Sequence, residues 1–285
     1  MKINEKVKKC VAFLQYKMAD DSCRYAGTCF FIVRDNQSSN YCYAITAKHV
    51  ISSIKAMGID KVFIKVNLID GGVDLIPTSI DKWISHYDET VDISILPFAF
   101  SENVDHLFYP ESSFLSDAFI KSNEIDCGDE VFITGLFKHH HGVKRNLPIV
   151  RIGNIAMMVT EEKVQTQSYL MEAYLIESRS IGGLSGSPVF VNLGQVRKLE
   201  GQVKHAQGEH IHHLLGLIHG HFDSKLGEID SVSEDSPDNI KVNVGIAIVT
   251  PVSKLTELFE SDAVKLHEKE IDKQVEILES KKHEN

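Results

Sequence analysis

The chain is 285 residues long, 43% of them hydrophobic, and carries a formal net charge of −10 at pH 7. This composition suffices for a sizeable core, and the negative charge argues against a nucleic-acid partner. No apolar run approaches the length of a membrane-spanning helix. The apolar stretch 10–14, which follows the basic residues 1–9, is too short for a signal peptide. We therefore expect a cytoplasmic protein with no membrane partner.

The N-terminal part of the chain consists of short β-type runs separated by turn residues, a pattern typical of an all-β barrel. We expect six strands to form a first antiparallel barrel over about residues 8–100. The predicted strands are Lys9–Tyr16, Thr28–Arg34, Tyr41–Thr46, Lys61–Asn67, Asp74–Pro77 and Ile93–Pro97.

A loop-like segment, 98–125, is expected to cross to a second six-stranded antiparallel barrel over about residues 126–250. The predicted strands of this barrel are Glu130–Leu136, Ile149–Met158, Tyr169–Glu177, Ser187–Asn192, His213–Ile218 and Val242–Ile248. The fold class is therefore all-β, with two six-stranded barrels in a single domain that spans residues 1–285.

The hydrophobic period changes after Pro251, where apolar residues recur at spacings of three and four. This pattern predicts one α-helix over 252–282 with a Lys/Glu-rich opposite face. Either the helix closes the second barrel with its first half and is solvated thereafter, or it binds a regulatory partner or a second copy of the chain. The apolar positions are Val252, Leu255, Phe259, Ala263, Leu266, Ile271, Val275 and Leu278.

The five cysteines are odd in number and irregularly spaced, which argues against a disulfide framework. We expect reduced thiols in a reducing compartment. The cysteines are Cys10, Cys23, Cys29, Cys42 and Cys127.

Three separated blocks supply the groups needed for nucleophilic catalysis. Ser185 lies in the stretch Gly-Leu-Ser-Gly-Ser-Pro at 183–188, His49 in Thr-Ala-Lys-His-Val at 46–50, and Asp92 in Val-Asp-Ile-Ser-Ile-Leu at 91–96. A serine hydroxyl is a poor nucleophile unless a base removes its proton, and the base needs a third group that fixes its tautomer. We expect His49 to be the base for Ser185 and Asp92 to orient His49.

A tight turn at Gly183 would let the backbone N–H groups of Gly183 and Ser185 point at one spot. Such donors stabilise the negative oxygen of a tetrahedral intermediate. Each block also has an ordinary structural explanation, since Ser and Gly are common in turns. The three blocks together favour catalysis.

The three blocks resemble those of trypsin-like (chymotrypsin-fold) serine peptidases, of the bacterial type related to the Deg/HtrA protease domain. Weaker similarities lie at 27–31, 128–132 and 244–248, so the resemblance covers roughly residues 8 to 255. It implies a serine endopeptidase that acts on a protein or peptide through an acyl-enzyme and needs no cofactor. It also implies an active site between the barrels, with His49 and Asp92 from the first and Ser185 from the second.

The chain departs from the family pattern at two positions of the block at 183–188. Ser187 stands where the family has a second glycine, and Leu184 stands where a polar residue is often found. Leu184 argues against activation by N-terminal cleavage, and residues after the C-terminal helix are too few for the PDZ domain of HtrA enzymes. We expect either an enzyme that is competent as made or one that is latent until a partner orders its site. The alternative is a non-catalytic, protease-fold peptide-binding module.

In the family, the segment before the nucleophile and a later strand of the second barrel line the pocket for the residue preceding the cleaved bond. The corresponding residues here are Arg179 and Ser180, with His219 and His221. They could form a cationic pocket for a Glu or Asp side chain. Alternatively, Arg179 pairs with Glu177 at the surface and the histidines lie at the rim.

Histidine is frequent, and neutral imidazole is a common metal ligand. The sequence contains no HExxH motif and no cysteine pair at ligand spacing, so we expect exposed loop histidines and no metal. The residues concerned are His139, His140, His141, His205, His210, His212 and His213. The acidic stretch 223–239 is expected to be a solvated loop.

Overall fold

A computed structural model describes residues 3–35, 40–166, 169–178, 183–199, 202–205, 211–225 and 241–283. Two β-sheets dominate it, one built from the N-terminal half of the chain and one from the C-terminal half. Within the described ranges, no helix combines the length and the apolar character needed to cross a membrane. All five cysteines lie in these ranges and are free thiols.

The N-terminal sheet has the strand order β5-β4-β1-β2-β3-β7-β6, with antiparallel neighbours throughout and β8 added parallel to β2. The six predicted strands are present, and the predicted Lys61–Asn67 coincides with β4. The strands are β1 Val11–Lys17, β2 Cys23–Asp35, β3 Asn40–Thr46, β4 Lys61–Asn67, β5 Val73–Ser79, β6 Ile84–Ser85, β7 Ser94–Pro97 and β8 Tyr109–Pro110.

This sheet differs from the predicted closed barrel. Among the described residues, the hydrogen-bonded path has two ends, at β5 and β6. The short β6 pairs with β7 through Ile84 and Ser85 only. Closure depends on pairing between strands that are distant in sequence, and the alternation of residues along a strand does not encode it.

The C-terminal sheet is a closed, antiparallel barrel in the order β10-β13-β18-β17-β14-β9, which confirms the six-stranded barrel predicted for 126–250. In the described ranges, two further two-stranded antiparallel sheets, β11–β12 and β15–β16, lie outside the barrel path. The strands are β9 Glu130–Gly135, β10 Ile149–Met157, β11 Val164–Gln165, β12 Leu170–Met171, β13 Tyr174–Glu177, β14 Pro188–Asn192, β15 Val196–Leu199, β16 Gln202–His205, β17 His212–Lys225 and β18 Lys241–Pro251.

Four α-helices accompany the sheets in the described residues: α1 Lys48–Ala56, α2 Asp117–Ser122, α3 Val252–Phe259 and α4 Asp262–His283. Short 3₁₀ helices lie at Glu5–Cys10, Ile80–Lys82 and Glu111–Ser113. The predicted crossing loop, 98–125, therefore contains β8, one 3₁₀ turn and α2.

The sequence did not predict α1, which begins directly after β3 and carries His49 in its first turn. Its buried residues Val50, Ile51 and Ile54 lie at helical spacing on one face, so packing stabilises the helix. Only nine residues long, α1 is too short for a strong periodic signal.

The predicted single C-terminal helix is interrupted at Glu260–Ser261 and forms α3 and α4. The predicted apolar positions are buried as far as Phe259. After the break, Val264 is buried while the predicted Ala263 and Leu266 are exposed. The spacing of three and four residues keeps side chains on one face only while the helix is continuous.

The helix α4 packs on the N-terminal sheet. One prediction from the sequence was that the C-terminal helix would close the second barrel with its first half and be solvated thereafter, and α4 does neither. Arg34 of β2 donates to Glu268 and to Glu111, both at 2.8 Å. Tyr43 of β3 donates to Glu268 at 2.7 Å, and the neighbouring Tyr41 donates to Asp272 at 2.6 Å. The preceding helix α3 packs against β17 and β18 of the barrel. The C-terminal helices therefore connect the two sheets.

One hydrophobic core cluster runs through both sheets and α3, and it includes Phe31, Tyr43, Phe132, Phe190 and Phe259. The single-domain organisation over 1–285 stays a prediction. The shared core nevertheless means that the two sheets pack directly on each other.

Arg34→Met tests the connection between α4 and the N-terminal sheet. The Arg34 side chain is 15% exposed, and its loss leaves the 14%-exposed Glu268 without its cation. Breaking a largely buried ion pair in this way should lower the free energy of unfolding by about 3 kcal/mol, measured by urea denaturation. In the control Lys8→Gln, an exposed pair with Glu5 is removed, and we expect a change of about 0.5 kcal/mol or less. Equal effects of the two substitutions would contradict the anchoring role of Arg34.

Candidate active site

His49 is attached to Asp92 at two points. Its backbone N–H donates to Asp92 Oδ1 at 2.8 Å, and its ring Nδ1 lies 2.7 Å from Asp92 Oδ2. An ionised carboxylate only accepts hydrogen bonds, so the proton of the neutral ring belongs on Nδ1 and the lone pair on Nε2. This tautomer is the one that a general base needs.

The carboxylate of Asp92 is 2% exposed and receives a third N–H donor, because Nδ1 of His219 lies 2.5 Å from Oδ2. Burial by itself would raise the pKa of Asp92. The hydrogen bonds and charges of His219 and His49 outweigh that effect and hold the pKa well below its usual range. Asp92 is therefore ionised across the physiological pH range.

The pKa of His49 responds to the same carboxylate. Burial would lower it, but the hydrogen bond and the negative charge of Asp92 outweigh burial and raise the pKa above the ordinary histidine value. The protonated ring is thus stabilised where it would form during catalysis.

Ser185 lies in a turn, residues 183–187, which we call the serine turn. The carbonyl of Ser185 accepts the N–H of Thr28 at 3.0 Å, and the N–H of Gly186 donates to Ile218 O at 2.8 Å. Gly186 has φ of 80°, and a Cβ there would collide with the carbonyl of Thr28 and the hydroxyl of Thr46. Only glycine fits this position.

Thr28 of β2 fixes the serine turn to both sheets. Its hydroxyl accepts the N–H of Leu136 at 2.9 Å and donates to the carbonyl of Gly183 at 3.0 Å. Its own carbonyl accepts the hydroxyl of Thr46 at 2.8 Å, three residues before His49 in the chain. The sequence indicated this residue only as part of the similarity at 27–31, and its role in positioning Gly183 was missed.

Ser185 and His49 line one cavity of about 520 Å³, and Asp92 lies behind His49. In the part of the chain that the structure describes, no hydrogen bond joins Ser185 Oγ to His49 Nε2. Gly183 has φ of 108°, and the N–H groups of Gly183 and Ser185 donate no hydrogen bond to a described residue. The other lining residues are Gln165, Thr166, Tyr169, His219, His221 and Phe222, together with Gly220 and Ile248.

Two of the four predicted substrate-pocket residues line the cavity, and the other two lie outside the described residues. Arg179 and Ser180 lie outside the described residues. His221 lines the cavity with Ser185. His219 lines it too, but its Nδ1 is bound to Asp92, so it is more than a rim residue. The preference for an acidic substrate side chain stays a prediction.

His49, Asp92 and His219 also form a group that could hold a metal ion, with ligand atoms within 4.8 Å of one another. Zinc bonds of 2.0–2.1 Å in a tetrahedral site would separate these atoms by about 3.3 Å. The N···O distances of 2.7 and 2.5 Å are those of direct hydrogen bonds. The geometry fits shared protons better than a shared metal.

The histidines predicted to lie in exposed loops are only partly so. His212 and His213 are buried on β17, which corrects that prediction, because their rings pack on Phe132 and Phe119. His139 and His140 are exposed in the loop before β10. In the same loop, His141 Nδ1 lies 2.8 Å from the hydroxyl of Tyr25. The side chain of His205 and all of His210 lie outside the described part.

No family model and no curated protein matches the sequence. Solved structures that resemble the chain include Deg5, with 14% identity, coverage of 89% of this chain and 88% of Deg5, and a TM-score of 0.49. The HtrA-type protease AlgW with a decapeptide has 14% identity, coverage of 88% and 63%, and a TM-score of 0.48.

A third similar structure is Rv3671c from M. tuberculosis H37Rv, a serine-to-alanine mutant in an inactive form. It has 16% identity, coverage of 90% of each chain and a TM-score of 0.43. Similarity at this level assigns no activity, so the chemistry has to follow from the residues of the chain itself.

Thr28→Val tests the attachment of the serine turn. The substitution keeps the shape of the side chain but leaves the N–H of Leu136 and the carbonyl of Gly183 unpaired. We expect the free energy of unfolding to fall by about 2 kcal/mol, measured by urea denaturation. Thr28→Ser keeps the hydroxyl and should retain most of the wild-type stability. A valine variant as stable as the serine variant would contradict the role of the hydroxyl.

Proposed function

We propose that the protein is a serine endopeptidase in which Ser185 is the nucleophile, His49 the general base and Asp92 the group that orients and stabilises His49. The observation that carries this proposal is the two-point attachment of His49 to the buried Asp92, beside a cavity that His49 shares with Ser185. A stability role alone does not explain a half-exposed imidazole held in the base tautomer at the wall of a cavity.

The reaction follows from these groups. His49 Nε2 takes the proton of Ser185 Oγ as the oxygen attacks the peptide carbonyl, and the protonated ring is stabilised by Asp92. The oxygen of the tetrahedral intermediate receives the N–H groups of Gly183 and Ser185. His49 then gives its proton to the leaving amine, which leaves an acyl-enzyme. Water attacks this ester by the reverse sequence of proton transfers and releases the acid.

Among the described residues, no hydrogen bond joins Ser185 to His49. Such bonds are often long or absent before substrate binds. The observation therefore fits both an enzyme that is competent as made and one that is latent until a partner orders its site. The same observation would also fit a non-catalytic peptide-binding module, so turnover decides between the two.

Protein or peptide substrates, a cytoplasmic location and a regulatory partner of the C-terminal helix belong to this proposal. The Glu268–Asp272 side of α4 binds the N-terminal sheet, so a partner would have to use the exposed Leu266 and Ile277 instead. The reaction requires no metal or cofactor.

Reaction with a fluorophosphonate probe tests the proposal. Intact mass spectrometry of the wild type should show one probe adduct per chain, because an activated serine is phosphonylated and ordinary serines are not. Ser185→Ala should show none. Ser187→Ala, two positions along the same turn, is the matched control and should react as the wild type does.

Labelling of the Ser185→Ala variant would contradict the assignment of the nucleophile. No labelling of the wild type, repeated with peptide substrates present, would favour the peptide-binding module.

A further inference from the structure

His219 occupies an unusual position beside the candidate catalytic pair. The register of β17 against β18 shifts between Ile218 and Gly220, which makes His219 the extra residue of a bulge. A bulge re-aims a side chain relative to the regular strand. The result is a half-buried imidazole, 17% exposed, whose Nδ1 lies 2.5 Å from Asp92 Oδ2.

Two imidazoles therefore meet on one carboxylate oxygen. The rings of His49 and His219 are nearly perpendicular, at 79°, with centroids 5.5 Å apart. Because the ionised Asp92 can only accept, each neutral ring carries its proton on Nδ1.

The second donor reduces how strongly Asp92 stabilises a proton on His49. Each N–H on Oδ2 neutralises part of its negative charge, so less of that charge remains to stabilise a proton on His49. This limits the rise in the pKa of His49 that Asp92 causes, which leaves more of the ring in the neutral form that can act as a base.

We propose that His219 is a positioning residue of the site, which holds Asp92 in place through its Nδ1–H and limits how strongly Asp92 stabilises protonated His49. This inference rests on the proposed serine peptidase function for its catalytic meaning. The hydrogen-bonding role itself does not depend on turnover.

The groups that face His219 come from four parts of the fold. They are His49 of α1, Asp92 before β7, Tyr169 before β12 and His221 on the same strand. Burial and the charge of Asp92 raise the pKa of Tyr169 to about 12, so Tyr169 stays neutral.

The test is an NMR titration of the His49 ring in Ser185→Ala protein, with and without His219→Ala, in buffer that contains EDTA. Without His219 the midpoint of His49 should rise by about one pH unit, a tenfold tighter hold on the proton. His219→Asn, which can still donate one N–H to Asp92, should return at least half of that change. His140→Ala removes an exposed loop histidine and should leave the midpoint where it was.

A midpoint that does not move in His219→Ala would overturn the proposal. A shift in His219→Asn as large as that in His219→Ala would also overturn it, because the change in the His49 midpoint would then follow from altered packing rather than from the loss of the hydrogen bond. Should His219→Ala not fold, His219→Val, which fills more of the space and has no donor, takes its place, and an unmoved midpoint in that variant would overturn the proposal. Stoichiometric zinc binding without EDTA, lost in His219→Ala, would replace the proposal with a metal site.

The two proposals fail separately. The titration uses protein without the Ser185 hydroxyl and needs no turnover. A shifted midpoint together with an unreactive wild type would remove only the peptidase function. A reactive Ser185 together with an unshifted midpoint would remove only the role of His219.

Discussion

The buried negative charge of Asp92 is the constraint on which the rest of the site depends. A carboxylate at 2% exposure must be compensated by donors in good geometry, because an uncompensated buried charge is strongly destabilising. The donors come from the start of α1, which follows β3 of the N-terminal sheet, and from the bulge in β17 of the barrel. Satisfying one carboxylate therefore brings the two halves of the fold together at a single point.

Residues next to these donors also hold the serine turn. Ile218, the neighbour of His219, accepts the N–H of Gly186 and donates to the carbonyl of Ser187. Thr28 approaches the turn from the N-terminal sheet and binds the carbonyls of Gly183 and Ser185. The turn is thus held from both sides, and displacement of either sheet would move Ser185 relative to His49.

Local patterns in the sequence predicted much of this arrangement, whereas contacts between distant residues were missed. Strand β4 and the strands of the second barrel follow from alternation and turn residues, and the three blocks gave His49, Asp92 and Ser185 as candidate site residues. The bond between His219 and Asp92 joins residues 127 positions apart and depends on a bulge, which no local pattern reveals. The path of α4 onto β2 and β3 was missed for the same reason, since Arg34 and Glu268 are paired only in the folded chain.

A crystal structure with a peptide boronate would test the central claim, that Asp92, His49 and Ser185 act as one catalytic unit. We predict a covalent bond from Ser185 Oγ to boron, with one boronate oxygen accepting the N–H groups of Gly183 and Ser185. Nε2 of His49 should lie within hydrogen-bond distance of the adduct while Nδ1 stays on Asp92. A boronate that binds in the cavity without a bond to Ser185, or that leaves His49 turned away from it, would contradict the claim.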